Sequence, residues 1–119
     1  MAVTRVVPNL AVHDVGAARD LYAGLFDAQV VMDHGWVACL TPADDPGVQL
    51  QVISADAAAP VNPAVSIGVT TSAEVDAVCR RVREAGLEIV HGPTDEDWGV
   101  RRFFFRDPDG NIVNVVANV

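Results

Sequence analysis

The chain has 119 residues, half of them hydrophobic, and a formal net charge of −8. That length fits one domain, and the apolar fraction excludes a disordered chain. The acidic balance excludes nucleic acid as a partner, because phosphates are repelled, whereas cationic small molecules would be attracted.

Val3 to Ala11 reads as a strand, and Pro8 marks it as an edge or an irregular point. Asp14 is an N-cap candidate. Val15, Ala18, Leu21, Tyr22 and Leu25 follow at helical spacing as one apolar face, with Gly24 near the helix end. Ala28 to Asp33 is a short strand, His34-Gly35 a turn and Trp36 to Leu40 a further strand. Pro42 to Gly47 is a loop of Asp, Pro and Gly, and Val48 to Ser54 a strand. Ala55 to Pro63, rich in Ala and Pro, is a linker.

The same order then recurs. Ala64 to Thr70 is a strand. Thr71 and Glu74 form a capping box for a helix whose face is Val75, Val78, Cys79 and Val82. Gly86 suits the position after its end. Leu87 to Val90 is a strand, His91 to Asp97 a loop and Gly99 to Arg106 a strand. Asp107-Pro108-Asp109-Gly110 is a turn, and Asn111 to Val116 closes the chain. Residues repeat as well as elements. Trp36 precedes Gly47 by 11 residues and Trp98 precedes Gly110 by 12. Order kept on both sides of a linker indicates duplication. The expected fold is α+β: two βαβββ modules, residues 1–54 and 64–119, joined by linker 55–63 as a single domain.

Two stretches carry a family resemblance. "NLAVHDVGAARDLYAGLF" resembles the first helix region of the vicinal-oxygen-chelate superfamily of glyoxalases, bleomycin-resistance proteins and extradiol dioxygenases. "WGVRRFFFRDPDGNIVNVV" resembles its C-terminal hairpin. With the central "VREAGLEIVHGP", the resemblance covers essentially the whole chain. It implies a curved, mixed-sheet cup with the ligand on the concave face and helices on the convex face. It also implies a homodimer, in some members with modules swapped.

The resemblance further implies four metal-ligand positions, which here hold Val7, Gln51, Ala64 and Asn114. Valine and alanine have no donor atom, and neutral amides are weak ligands alone. No metal or other cofactor is therefore expected. A slip of one residue reverses strand facing and offers only Val6, Pro8, Pro63 and Val65. His13, His34 and His91 flank element ends. They read as turn or loop residues, or, for His34 or His91 at the cup mouth, as a general base.

Strand alternation gives the expected cup face. It comprises Val7, Asn9, Gln49, Gln51, Ser66, Gly68, Ile112 and Asn114, with Ile53 and Val116. A hairpin pairing Phe105 with Ile112 and Phe103 with Asn114 would place both rings there. The opposite parity, including Leu50, Val52, Val65, Ile67, Phe104 and Val113, is the face expected under the helices. Trp36 and Trp98 either pack at a sheet edge or stack on a planar ligand at the rim. Arg101, Arg102 and Arg106 are expected to pair with Asp107, Asp109 or Glu96.

The face mixes apolar groups with neutral amides and one hydroxyl, as small-molecule pockets do. It shows no carboxylate pair for acid–base work and no nucleophilic triad spacing. The expected function is a metal-free small-molecule binding protein, similar to the bleomycin-resistance branch. It would sequester a planar or cationic compound such as an antibiotic. The alternatives are a lyase, isomerase or dioxygenase with a shifted or absent metal site, or an accessory module with a vestigial cup. Cys39 and Cys79 fall in different elements without metal-ligand spacing and read as buried thiols in a reducing compartment. The N-terminus runs directly into a strand, and no run approaches ~20 apolar residues. The expectation is a cytoplasmic protein without a membrane partner.

Overall fold

A computed structural model describes residues 2–119. The elements run β1 (Val3–Ala11), α1 (Val15–Phe26), β2 (Ala28–Asp33), β3 (Val37–Pro42), β4 (Leu50–Ile53), β5 (Val65–Val69), α2 (Ser72–Glu84), β6 (Glu88–Glu96), β7 (Val100–Arg106) and β8 (Ile112–Asn118). The fold is α+β, with two helices and one eight-stranded mixed sheet of order β2-β3-β4-β1-β5-β8-β7-β6. In each half the first strand pairs parallel with the last, β1 with β4 and β5 with β8. The halves meet where β1 pairs antiparallel with β5.

Each helix lies on the convex face of its own half. Val15 of α1 is buried with Ala38 and Val52, and Ala18 and Tyr22 are packed against them. Leu21 and Leu25, expected on the same face, are exposed instead. The helix also runs past Gly24 and ends at Asp27, in the left-handed region. In the second half Val75, Cys79 and Val82 meet Val69, Phe103 and Val115. The α2 capping box is present: Glu74 N–H donates to Thr71 Oγ1, and Thr71 N–H donates to Glu74 Oε2.

Three sequence expectations change. First, β1 is a central strand, so Pro8 is not at an edge, and the irregularity of β1 lies between Val3 and Arg5 instead. Pairing to β5 runs through Pro8, and the recorded pairing to β4 begins at Asn9. A residue without an N–H is tolerated where the ladder on that side has not begun. Second, the expected loop from His91 to Asp97 is largely strand. Gly92-Pro93 reads as a breaker but forms an irregularity inside β6, and pairing resumes at Thr94 opposite Arg102. Gly92 adopts φ 73°, and a Cβ there would lie 2.5 Å from the Arg102 carbonyl oxygen.

Third, the β7–β8 register differs by one residue from the expected hairpin. Phe104 lies opposite Asn114, Phe103 opposite Val115, Phe105 opposite Val113 and Arg106 opposite Ile112. The cause is the turn. Asp107 N–H donates to the Asn111 carbonyl at 2.9 Å, so the loop holds Pro108, Asp109 and Gly110 rather than two residues. Gly110 supplies the left-handed residue, φ 89°, that three-residue hairpin loops need. One extra residue moves each β7 side chain to the opposite face. Phe103 and Phe105 thus stack at 6.0 Å beneath α2, and Phe104 and Arg102 turn into the cup.

The Asp107 carboxylate holds this turn. Its oxygens accept from the Asn111 side chain and from the backbone N–H groups of Asn111 and Asp109. These bonds, those from Asn111 first, lower its pKa below the ordinary 3.8. A lowered carboxylate contributes stability that is complete above the ordinary value and is lost as pH falls through the lowered one. Denaturation followed from pH 7 downward should therefore show Asp107→Asn less stable than the parent at neutral pH. The gap should narrow once pH passes below 3.8.

Candidate functional site

The concave face encloses a cavity of about 320 Å³. Its floor is built at the β1–β5 seam. Asn9 and Asn114 both donate from Nδ2 to Ser66 Oγ, at 3.0 Å each. Register accounts for the trio: Ser66 lies opposite Asn114 in the β5–β8 pair and opposite Val7 in the β1–β5 pair. The two amide oxygens, Asn9 Oδ1 and Asn114 Oδ1, are buried without a partner. The hydroxyl hydrogen of Ser66 likewise finds no acceptor among the described residues. A buried polar group left unmade costs about 1–3 kcal/mol, so the chain's own groups leave the floor under-satisfied.

One wall comes from the first half: Gln51, Ile53, Cys39 and Val37. Cys39 is buried, and that burial pushes its thiol pKa up. The rim is aromatic. Trp36 follows β2 and Trp98 precedes β7, so they stand near opposite ends of the strand order. They nevertheless meet edge to face, with centroids 5.6 Å apart. The sheet is curled until its two outer hairpins touch. His34 stacks on Trp36 at 6.4 Å and also lines the cavity. His91 is not among the lining residues; it packs on Phe104 and lies 3.3 Å from Glu96 Oε2.

The other wall holds Arg102. Its Nη2 donates to Asp56 Oδ2 at 2.7 Å, and its Nε donates to Glu96 Oε2 at 2.6 Å. Its Cζ lies 4.9 Å from the centroids of both Trp98 and Phe104. The Arg102, Asp56 and Glu96 side chains are 6%, 2% and 9% exposed. The expected Arg102–Glu96 pair is present, whereas Arg101 pairs with Asp76 and Asp95 and Arg106 pairs with Glu88.

Of the residues expected at the ligand site, Asn9, Trp36, Gln49, Gln51, Ser66, Trp98 and Asn114 line the cavity. Val7 and Ile112 are buried and share the parity of this face but lie outside the lining. Phe103 and Phe105 are on the opposite face, for the register reason above. Several lining residues escaped the sequence reading, among them Arg5, Cys39 and Arg102. Arg5 shares the parity of Val7 and Asn9, so alternation could have found it. Arg102 required the correct turn length.

The residues do not suit the metal that the fold family implies. The donor set is two neutral amides with a valine and an alanine. Beside it the Asn9 and Asn114 oxygens are unpartnered but uncharged. Among the described residues, no three His, Cys, Asp or Glu side chains gather into a metal-binding group.

Two βαβββ halves curled around a polar-floored cup define a recognisable class. The chain belongs to the glyoxalase/bleomycin resistance protein/dioxygenase superfamily, whose family model matches residues 3–115. Solved structures share the fold at low identity. An NAD-dependent benzaldehyde dehydrogenase from Legionella pneumophila aligns with TM-score 0.77 and 19% identity, over 96% of this chain and 99% of that one. A superfamily member from Vibrio splendidus 12B01 aligns at 0.68 and 18%, over 96% and 98%. A Streptomyces coelicolor methylmalonyl-CoA epimerase in complex with 2-nitronate-propionyl-CoA aligns at 0.72 and 21%, over 99% of each chain. No curated protein matches the chain. No helix among the described residues is long and apolar enough to cross a membrane.

Arg102→Ala should lower stability by about 3–5 kcal/mol, because Asp56 and Glu96 stay buried without their counter-charge. A fall in the urea midpoint would measure it. Adding Asp56→Asn and Glu96→Gln to Arg102→Met should recover most of the loss.

Proposed function

We propose that this protein binds a small molecule in the cup and holds it without making or breaking a bond. The observation that carries this reading is the cavity lining. It combines apolar walls and two tryptophans with neutral amides, one hydroxyl, one thiol, one imidazole and two guanidinium groups, and it includes no carboxylate. Such a lining orients a ligand, and its acid–base candidate is the rim imidazole of His34, with no carboxylate in the lining to pair with it. The two carboxylates in contact with the lining residue Arg102, Asp56 and Glu96, are committed to it. A cavity of about 320 Å³ lies at the small end of the roughly 300–1,000 Å³ range of ligand pockets. It suits a compact planar compound, or the end of a larger one such as an antibiotic or an acyl thioester. The reading includes no metal, and it places the protein in a reducing cytoplasm, where the buried free thiols of Cys39 and Cys79 persist.

A screen of aromatic, glycopeptide and thioester compounds tests it. A hit should raise the melting temperature, quench tryptophan fluorescence and be recovered chemically unchanged. Trp98→Ala should weaken that hit roughly tenfold through lost stacking. Recovery of a changed compound, or stoichiometric Zn, Ni, Mn or Fe after purification without chelators, would replace binding with a lyase, isomerase or dioxygenase. No hit in any class would leave the cup vestigial.

The same reading includes a homodimer. On α1, Leu25 and Phe26 are 64% and 69% exposed, and Leu21, Val30 and Val48 are also exposed. An apolar surface of this kind is commonly covered by a partner, and a second copy is the partner the family resemblance implies. Sedimentation should give a dimer for the parent and a monomer for Phe26→Glu.

A further inference from the structure

The acidic surface hides a cup of the opposite character. Its lining carries two guanidinium groups, Arg5 and Arg102, and no carboxylate. The two stand on one cross-sheet row, because Arg5 lies opposite Gly68, Gly68 beside Val116, and Val116 opposite Arg102. Their electrostatic states differ. Arg102 is held by Asp56 and Glu96, which themselves lie outside the lining. Arg5 has no carboxylate of the described residues within 4.0 Å. Its one recorded side-chain partner is neutral, Gln49 Oε1, at 3.1 Å from Nη1. A guanidinium has five N–H donors, so most of those on Arg5 are uncommitted.

The backbone makes room for this placement. A Cβ at Gly68 would lie 2.7 Å from Arg5 Cγ and 3.1 Å from its Nε. The arginine stem occupies the space a side chain at position 68 would fill. The result is an unpaired, half-buried cation laid along the concave face of a protein with net charge −8.

We propose that Arg5 is the anion-binding residue of the cup, and that the ligand joins a flat apolar body to an oxyanion, carboxylate or phosphate. This rests on the binding reading above and narrows it: of planar and cationic ligands, the cup takes the planar one and rejects the cation. Guanidinium geometry matches both oxyanions. The tryptophan rim takes the flat body.

Four naphthalene probes of one shape test the assignment by calorimetry: 2-naphthoate, 2-naphthyl phosphate, neutral 2-naphthamide and 2-naphthylmethylammonium. At least one oxyanion should bind tenfold or more tighter than the amide, with the ammonium weakest. The carboxylate-to-phosphate ratio identifies which oxyanion the cup prefers. Arg5→Gln should abolish the preference while amide binding persists. Gly68→Ala should also abolish it, by displacing the guanidinium with the net charge unchanged. Arg80→Gln, an equal charge loss on exposed α2, should leave it intact. Circular dichroism confirms that each variant is folded; if Arg5→Gln unfolds, Gly68→Ala decides. Equal binding of all four probes, or the same loss in Arg80→Gln, overturns the anion assignment and leaves the binding reading standing. Failure of all four to bind at millimolar concentration overturns both.

Discussion

The guanidinium of Arg102 is the constraint from which most of the cup follows. Three charged side chains are buried together, and each is tolerable only because the others are present. Asp56 belongs to the segment between the halves, Glu96 to the end of β6 and Arg102 to the middle of β7. Their contacts hold the linker against the second half. Trp98 and Phe104 flank the same cation, so the rim tryptophan is positioned by the ion cluster. Trp98 then meets Trp36 from the other half, and the curl of the sheet is closed at that contact.

The floor follows a different logic. The polar trio of Asn9, Ser66 and Asn114 is uncharged. Two amides share one hydroxyl as acceptor, which leaves two carbonyl oxygens and one O–H unmade. The superfamily fold implies a metal at this depth, but Val7, Gln51, Ala64 and Asn114 are a poor donor set for one. What remains is a directional polar floor under an aromatic rim, with one uncommitted cation, Arg5, between them.

Sequence patterns were informative where they reported local physics. The duplicated order, the Asp14 and Thr71 caps, the position of Gly86 and most strand limits rest on contacts between neighbours in the chain, and the structure has them. The parity of β1, β4, β5 and β8 was also readable, because one side chain in two faces the cup. Two readings failed: Pro8 as an edge or irregular point, and His91 to Asp97 as a loop. Pro8 sits in a central strand, and Gly92-Pro93 interrupts β6 without ending it. A breaker's effect depends on whether a neighbouring strand needs its missing N–H at that point, and only the assembled sheet answers that.

By itself, then, the sequence determined the two βαβββ halves, the apolar face of α2, the absent ligand chemistry at the four expected positions and most of the amides of the cup. Tertiary structure alone decided which β7 side chains enter it. A three-residue loop closed by Asp107 turns Arg102 and Phe104 inward and Phe103 and Phe105 outward, because strand facing alternates with every residue. It also brought Asp56 and Glu96 to Arg102, and Trp36 to Trp98. Those groups are distant in the chain, and their proximity follows from how the sheet curls, which no local pattern encodes.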